Sequence, residues 1–266
     1  MMKLSNQTFQ EKDAEKTSQF YDKLHIHYEK LGIFSEANPY TTSYGPLRDR
    51  ITRLSLDKKI RDGVVLDAGC GAWQKGVRIL QRFGPRSIEA VDVNERSLAH
   101  CKNDPQQNTS YSKQDLAHLR FESETFDFII CEGVLHHTLD PQKTLDELLR
   151  VLKPGGYLTL GLYCWRFPYS SVSWLLKNTL GRVMNMSRFL SISGRNRVML
   201  IFADFIFVPI EHYMNEKQLL KYLSSKQCGV VLNEVMAWPL PILGSQSKVI
   251  YELTGLLYKH IFVIKN

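Results

Sequence analysis

Residues 64 to 73 read Val-Val-Leu-Asp-Ala-Gly-Cys-Gly-Ala-Trp, and a second strand-like run, 87 to 92, ends in an acid 21 residues after Gly71. An apolar strand that ends in an acid and two glycines, followed one βα unit later by another acid-tipped strand, confines the chain to an α/β fold. Gly69 and Gly71 let the backbone turn sharply and let a ligand approach where a Cβ would stand. Asp92, at the tip of the second strand, can accept two hydrogen bonds from a ribose diol. The element is that of a nucleoside binder. Asp67 lies two residues before the first glycine, where it would repel a pyrophosphate and suit a ligand with a cationic amino-acid end. The third glycine of a dinucleotide fingerprint is missing.

The rest of the chain alternates strands and helices. Residues 11 to 31 and 46 to 58 predict amphipathic helices, with Leu47, Ile51 and Leu54 facing inward. Strands are expected at 63–67, 87–92, 109–112, 126–131 and 156–162, with helices at about 74–83 and up to about 103. Asp140 and Pro141 open a helix that Lys153-Pro154-Gly155-Gly156 ends. Asn215 to Gln218 resembles a capping box for a helix reaching about Gln227. Residues 230–237 and 260–264 read as the last two strands. The fold class is α/β: a Rossmann-like open, mostly parallel seven-stranded sheet with helices on both faces and a helical lid insertion. The expected organisation is an N-terminal helical cap (1–62), a cofactor-binding core (63–164), a basic helical lid (165–213) and a completion of the core (214–266).

The glycine turn resembles motif I of the class I S-adenosylmethionine-dependent methyltransferases, in its Asp-x-Gly-x-Gly form. Three further blocks follow in order: Ser112-Lys113-Gln114-Asp115-Leu116, Phe126 to Cys131 with Gly133-Val134-Leu135-His136-His137-Thr138, and Leu152 to Gly156. Together they are similar to the ubiquinone/menaquinone-methyltransferase-like branch, over about 100 residues. The resemblance fades before residue 60 and after Trp165. It implies S-adenosylmethionine as cofactor and no metal. It places Asp67, Gly69, Cys70 and Gly71 at the methionine end, Asp92 at the ribose and Val93 on the adenine. Asp115 and the Leu116 amide would meet the adenine edge, and Cys131 and Glu132 would lie beside the sulfonium. Tyr21 and Tyr28 sit on a helix that closes over the cofactor in relatives. The alternative for Asp67 and Asp115 is that they cap helices or turns. Trp73 departs from the family glycine, and its ring either narrows the methionine pocket or turns outward.

His136 and His137 are candidate general bases, because an imidazole can take a proton from a phenol or amine. The alternative for His137 is that it orients its loop. His212 and Tyr213 are candidate substrate contacts. Arg48 and Arg50 are read as solvated, with the cofactor carboxylate as the alternative. In-line methyl transfer needs a nucleophile held near attack and water excluded, so an obvious base is not required.

Charge separates the two halves. Residues 1–160 hold 22 basic and 22 acidic residues, whereas 161–266 hold 12 and 5, the whole net charge of +7. Residues 161–203 carry Arg166, Lys177, Arg182, Arg188, Arg195 and Arg197 and no acid. This segment is expected to be a lid over a small-molecule substrate. A patch for a lipid or quinone at an anionic membrane surface, and a surface for tRNA, are the alternatives. A non-catalytic module that kept the fold is a further one. Five dispersed cysteines without metal spacing, and the absence of a signal-like run at the N-terminus, suggest reduced thiols and a cytoplasmic protein. The longest apolar stretch, 198 to 210, is too short to span a bilayer.

Overall fold

The computed structural model describes residues 15–24, 26–27, 30, 45–164, 175, 178–179, 185–193, 207–210, 212, 214–236 and 258–266. Helix α1 covers residues 15–24. It is followed by α2 (Gly45–Arg53), α3 (Asp57–Ile60), β1 (Val64–Ala68), α4 (Lys75–Gln81) and β2 (Ser87–Asp92). Next come α5 (Glu95–Asn103), β3 (Thr109–Lys113), β4 (Phe126–Glu132), a 3-10 turn (Leu135–His137), α6 (Pro141–Val151) and β5 (Leu152–Tyr163). The chain closes with α7 (Met186–Ser193), α8 (Glu216–Ser225), β6 (Cys228–Met236) and β7 (Tyr258–Lys265).

The seven strands form one sheet in the order β3-β2-β1-β4-β5-β7-β6. The first five pair in parallel, and β7 runs antiparallel between β5 and β6. Strand alternation feeds two apolar layers. Leu66, Ile129 and Leu160 pack with Leu145, Leu148, Leu219 and Leu223 on one face. Val65, Phe128, Ile130 and Phe262 pack with Leu47, Ile51, Val77, Leu80 and Leu98 on the other. Helices therefore cover both faces, as parallel strands require. The chain winds from β1 towards β3, then returns to β4 on the other side of β1. That reversal opens a crevice at the carboxyl ends of β1 and β4, where α/β sheets bind ligands.

Side chains close the expected helix starts. Asn94 accepts from the Ser97 amide, Asp140 from Lys143 and Asn215 from Gln218. Three boundaries differ from the sequence reading. The helix expected at 46–58 breaks at Ser55, whose φ of 55° is left-handed, and continues as the single turn α3. Strand β5 begins at Leu152, so Lys153 to Gly156 lies inside the strand, with a register shift against β4 between Phe126 and Phe128. The last two strands are each longer than their apolar runs. Of the lid insertion, α7 and short pieces fall within the described residues.

Candidate active site

Strand β1 ends at Ala68 and the backbone turns at Gly69 and Gly71, with φ of 83° and 58°. The Gly69 and Cys70 amides both donate to the Val91 carbonyl, at 2.8 and 3.0 Å, which ties the loop to β2. A Cβ on Gly69 would collide with Val134 in the loop after β4, whereas one on Gly71 would enter open space. Gly69→Ala is therefore expected to destabilise the fold by roughly 1–3 kcal/mol, the usual cost of overpacking, with added left-handed strain. Urea titration checks this; an unchanged midpoint would show that the two loops are not packed as described.

Asp67 is 3% exposed and accepts the Val77 amide at 2.9 Å in the first turn of α4. Burial is the main cause that pushes its carboxyl up to about 7, with Asp92 and Glu132 adding to the rise and the Val77 bond opposing it. Gly76 makes this contact possible, since a Cβ there would stand 2.5 Å from the Asp67 carboxylate. Close helix–strand packing, the task of the missing third glycine, thus falls to Gly76. Sequence reasoning passed over it, although an isolated glycine inside a helix is a signal for such an approach.

Asp92 accepts the Gly71 amide at 2.9 Å on one oxygen and the Asn94 amide at 2.8 Å on the other. Burial raises its carboxyl above the ordinary range. Beside it Val93 is 56% exposed at the strand tip. Asn94 turns its amide nitrogen to the Ser18 carbonyl and hydroxyl and to Asp22, so α1 is moored at the β2 tip. Tyr21 on the same helix meets the His137 ring edge-on, with centroids 5.6 Å apart. Helix α1 thus bridges the tips of β2 and β4 across the glycine turn. Asn94 was not singled out in the sequence, because its cap signal gives no hint of a second partner.

Other expected contacts are distributed less directly. The Asp115 carboxylate accepts the Ala117 amide and pairs with His118, each at 2.9 Å, and its side chain is 57% exposed. This is the turn-capping arrangement of the alternative reading. The Leu116, Cys70 and Cys131 side chains lie in the apolar layers, and burial raises the Cys131 thiol above its ordinary range. Trp73 stacks beneath the Lys75 ammonium, 4.5 Å from the ring centre, and burial pushes Lys75 down to about 8. Arg48 pairs with Asp49 at the surface, whereas Arg50 is buried to 12% side-chain exposure against Glu234.

The loop after β4 forms a wall of rings. His136 is 1% exposed and packs 4.1 Å from His137 and 4.3 Å from Tyr163, centroid to centroid. Burial, then His137 and His212, hold the His136 ring well below the usual imidazole range, so it is neutral. Nδ1 of His137 lies 2.8 Å from the Ile210 carbonyl, which can only accept. Nδ1 therefore carries a proton. The end of the insertion is tied here as well, through the His212 amide to the His136 carbonyl at 2.8 Å. Tyr28 and Tyr213 lie outside the described residues. Among the described residues, no group of three His, Cys, Asp or Glu side chains is arranged to hold a metal, and no helix is long and apolar enough to cross a membrane.

This topology, with its glycine turn and acid-tipped strands, is that of the class I methyltransferase core. Residues 66–160 match the family model described as a methyltransferase domain. Over 97 residues the chain is 34% identical to the ubiquinone biosynthesis O-methyltransferase of Coxiella burnetii, covering 35% of this chain and 41% of that one. Over 110 residues it is 34% identical to the tRNA U34 carboxymethyltransferase of Campylobacter curvus, covering 40% and 35%. The chain thus spans less than half the length of these curated relatives. The magnesium protoporphyrin IX methyltransferase of Synechocystis PCC 6803, solved with bound SAH, shares the fold at a TM-score of 0.57, 13% identity, and coverage of 91% and 94%.

Proposed function

We propose that the chain is an S-adenosylmethionine-dependent methyltransferase that methylates a small-molecule acceptor by in-line transfer. The observation that carries this reading is the set of acids at three adjacent strand tips, Asp92, Asp67 and Glu132, around a glycine turn with open space at Gly71. Asp92 and Glu132 both add to the rise of the Asp67 carboxyl, and acids gathered in this way suit a cationic ligand. S-adenosylmethionine has cationic sulfur and ammonium groups, a ribose diol and a flat base. Asp92 has acceptor capacity for the diol, and exposed Val93 offers an apolar face for the base. When bound, the cofactor supplies a methyl group already activated on sulfur. The protein's part is to hold the acceptor and exclude water. Tyr21, Tyr163 and His137 form the wall for that task, with the His137 imidazole as the candidate base beside the acceptor. His212, whose amide is tied to the His136 carbonyl, stands as a contact at the edge of the acceptor site.

Calorimetry with S-adenosylhomocysteine and NAD tests the cofactor. Binding of the first and not the second is expected; the reverse would overturn the reading. The two curated relatives differ in what their names say they act on, and they match the core alone. The acid-free segment 161–203 therefore decides the acceptor class. A small-molecule lid predicts weak association with anionic vesicles and with bulk tRNA at both about 50 and about 200 mM salt. Strong, salt-sensitive binding to either would replace the small molecule by that partner.

A further inference from the structure

The turn between β1 and α4 is tied to β2, α5 and β3, and one of the residues that makes these ties is strained. Gln74 ends the turn with φ of 52° and ψ of 35°, left-handed values that a residue with a Cβ rarely adopts. It stands at the N-cap of α4 and makes no side-chain bond to that helix. Its side chain turns inward, and the residue is 1% exposed. Nε2 donates to the Asp104 carbonyl at 2.9 Å, at the end of α5, and Oε1 accepts from the Tyr111 hydroxyl of β3. The Tyr111 oxygen accepts the Gln106 amide at 3.1 Å. Beside this group the Cys101 thiol of α5 donates to the Gly71 carbonyl at 3.3 Å.

A left-handed backbone at such a residue persists only where its surroundings over-determine it. Here the bonds to Asp104 and Tyr111 do so. Hydrogen bonds of this kind contribute little net stability, because they replace bonds to water; what two of them on one amide supply is a fixed geometry. Trp73, in the place of the family glycine, is not left-handed, so the reversal of the chain falls one residue later, on Gln74. The position of the turn gives this geometry its importance. With the ribose diol at Asp92 and the base at Val93, the backbone of residues 69–74 faces the remaining, amino-acid end of the cofactor. The near rim of the turn is fixed to β2 through Val91 and Asp92. The far rim is fixed through Gln74.

We propose that Gln74 is a positioning residue: bracketed by Asp104 and Tyr111, it holds the far rim of the glycine turn in the shape that receives the methionine end of the cofactor. This rests on the cofactor reading given above. The Gln74 side chain is buried against its two partners and does not itself meet the ligand; it acts through the backbone of the turn. Tyr111 is a positioning residue through the same bond. Strand β3 is paired with β2 from Thr109 to Lys113, so the loss of one hydroxyl from Tyr111 leaves the base end of the site in place.

Calorimetry of the full chain with S-adenosylhomocysteine and with adenosine, which lacks the methionine end, tests this without an acceptor. Gln74→Met keeps the length of the side chain and removes both bonds. It is expected to lose roughly tenfold in affinity for S-adenosylhomocysteine, while its affinity for adenosine stays within about threefold of wild type. Gln74→Gly also lacks the bonds, but glycine adopts the left-handed backbone without strain, so it should lose less than Gln74→Met. Tyr111→Phe keeps the Asp104 bond and should show the same split between the two ligands, to a smaller degree. Equal loss for both ligands in Gln74→Met marks a general disturbance of the fold and overturns the proposal, as does loss for neither. Should that variant fail to fold by circular dichroism, Tyr111→Phe decides by the same comparison, and equal loss or no loss in it overturns the proposal. If wild type binds neither ligand, the cofactor reading has failed instead.

Discussion

Asp67→Asn is expected to stabilise the ligand-free protein above pH 7 while weakening its hold on S-adenosylmethionine. The buried carboxyl binds its proton more tightly in the folded chain, where its pKa is raised from 3.8 to about 7, than in the unfolded one. Below about pH 4 both states are protonated and the residue makes no difference. As pH rises from about 4 to about 7, the unfolded chain ionises first and stability falls. Above about 7 the full cost is present, on the order of 4 kcal/mol by the usual conversion of pKa units into free energy. An asparagine has no charge to desolvate and keeps an oxygen for the Val77 amide. Its extra amide protons offset part of the gain. Melting curves of both proteins between pH 5 and 8 check this. The advantage of the variant should grow with pH, and a difference that is constant across the range would refute the assignment. With cofactor present the order should invert, because a cationic ligand compensates the carboxylate and nothing compensates the amide. The wild type should also release protons on binding the sulfonium near pH 6 to 7, seen as a dependence of the calorimetric heat on the buffer's ionisation enthalpy. The variant should release fewer.

The parts of this site that lie within one βα unit are legible in the sequence. The apolar run, the glycine turn and the acid at residue 92 are local features, and each has a single geometric solution once the strands are parallel. The parts that depend on register are not. Arg50, Glu132, Glu234 and His260 meet because β4, β6, β7 and α2 assemble in one order. Their spacing of up to 210 residues leaves no local trace. Arg50 accordingly reads as solvated in the sequence and is found in the network. The register shift between Phe126 and Phe128 had a similar effect. It changes which β4 side chains face which layer, so Phe126 shares a layer with Ile129 and Cys131 while Phe128 shares one with Ile130. Asp115 was open to two readings from the start, since a carboxylate two residues before a free amide serves a turn as well as a base. Its bond to Ala117 and its pairing with His118 are the turn's. Trp73 turns its ring beneath the Lys75 ammonium.

Asp92→Ala is expected to cost both stability and cofactor affinity. Two backbone amides end on this carboxylate, Gly71 and Asn94, and both lose their acceptor in the variant. An amide left unsatisfied in a partly buried place costs about 1–3 kcal/mol, so the fold should lose roughly 2–4 kcal/mol, with a fall of several degrees in the melting temperature. The loss should extend to α1, because Asn94 is both its mooring point and the cap of α5. Affinity for S-adenosylhomocysteine should fall more than tenfold, since the charge-assisted bonds to the ribose diol go together with the shape of the glycine turn. Two comparisons separate these effects. Asp92→Asn retains one acceptor oxygen, so most of the stability should return while the affinity recovers only in part. Adenosine, which has the diol and the base but no methionine end, should lose as much affinity in Asp92→Ala as the whole cofactor product does. If Asp92→Ala binds adenosine as tightly as wild type, Asp92 is a scaffold for the turn and the ribose must be held elsewhere.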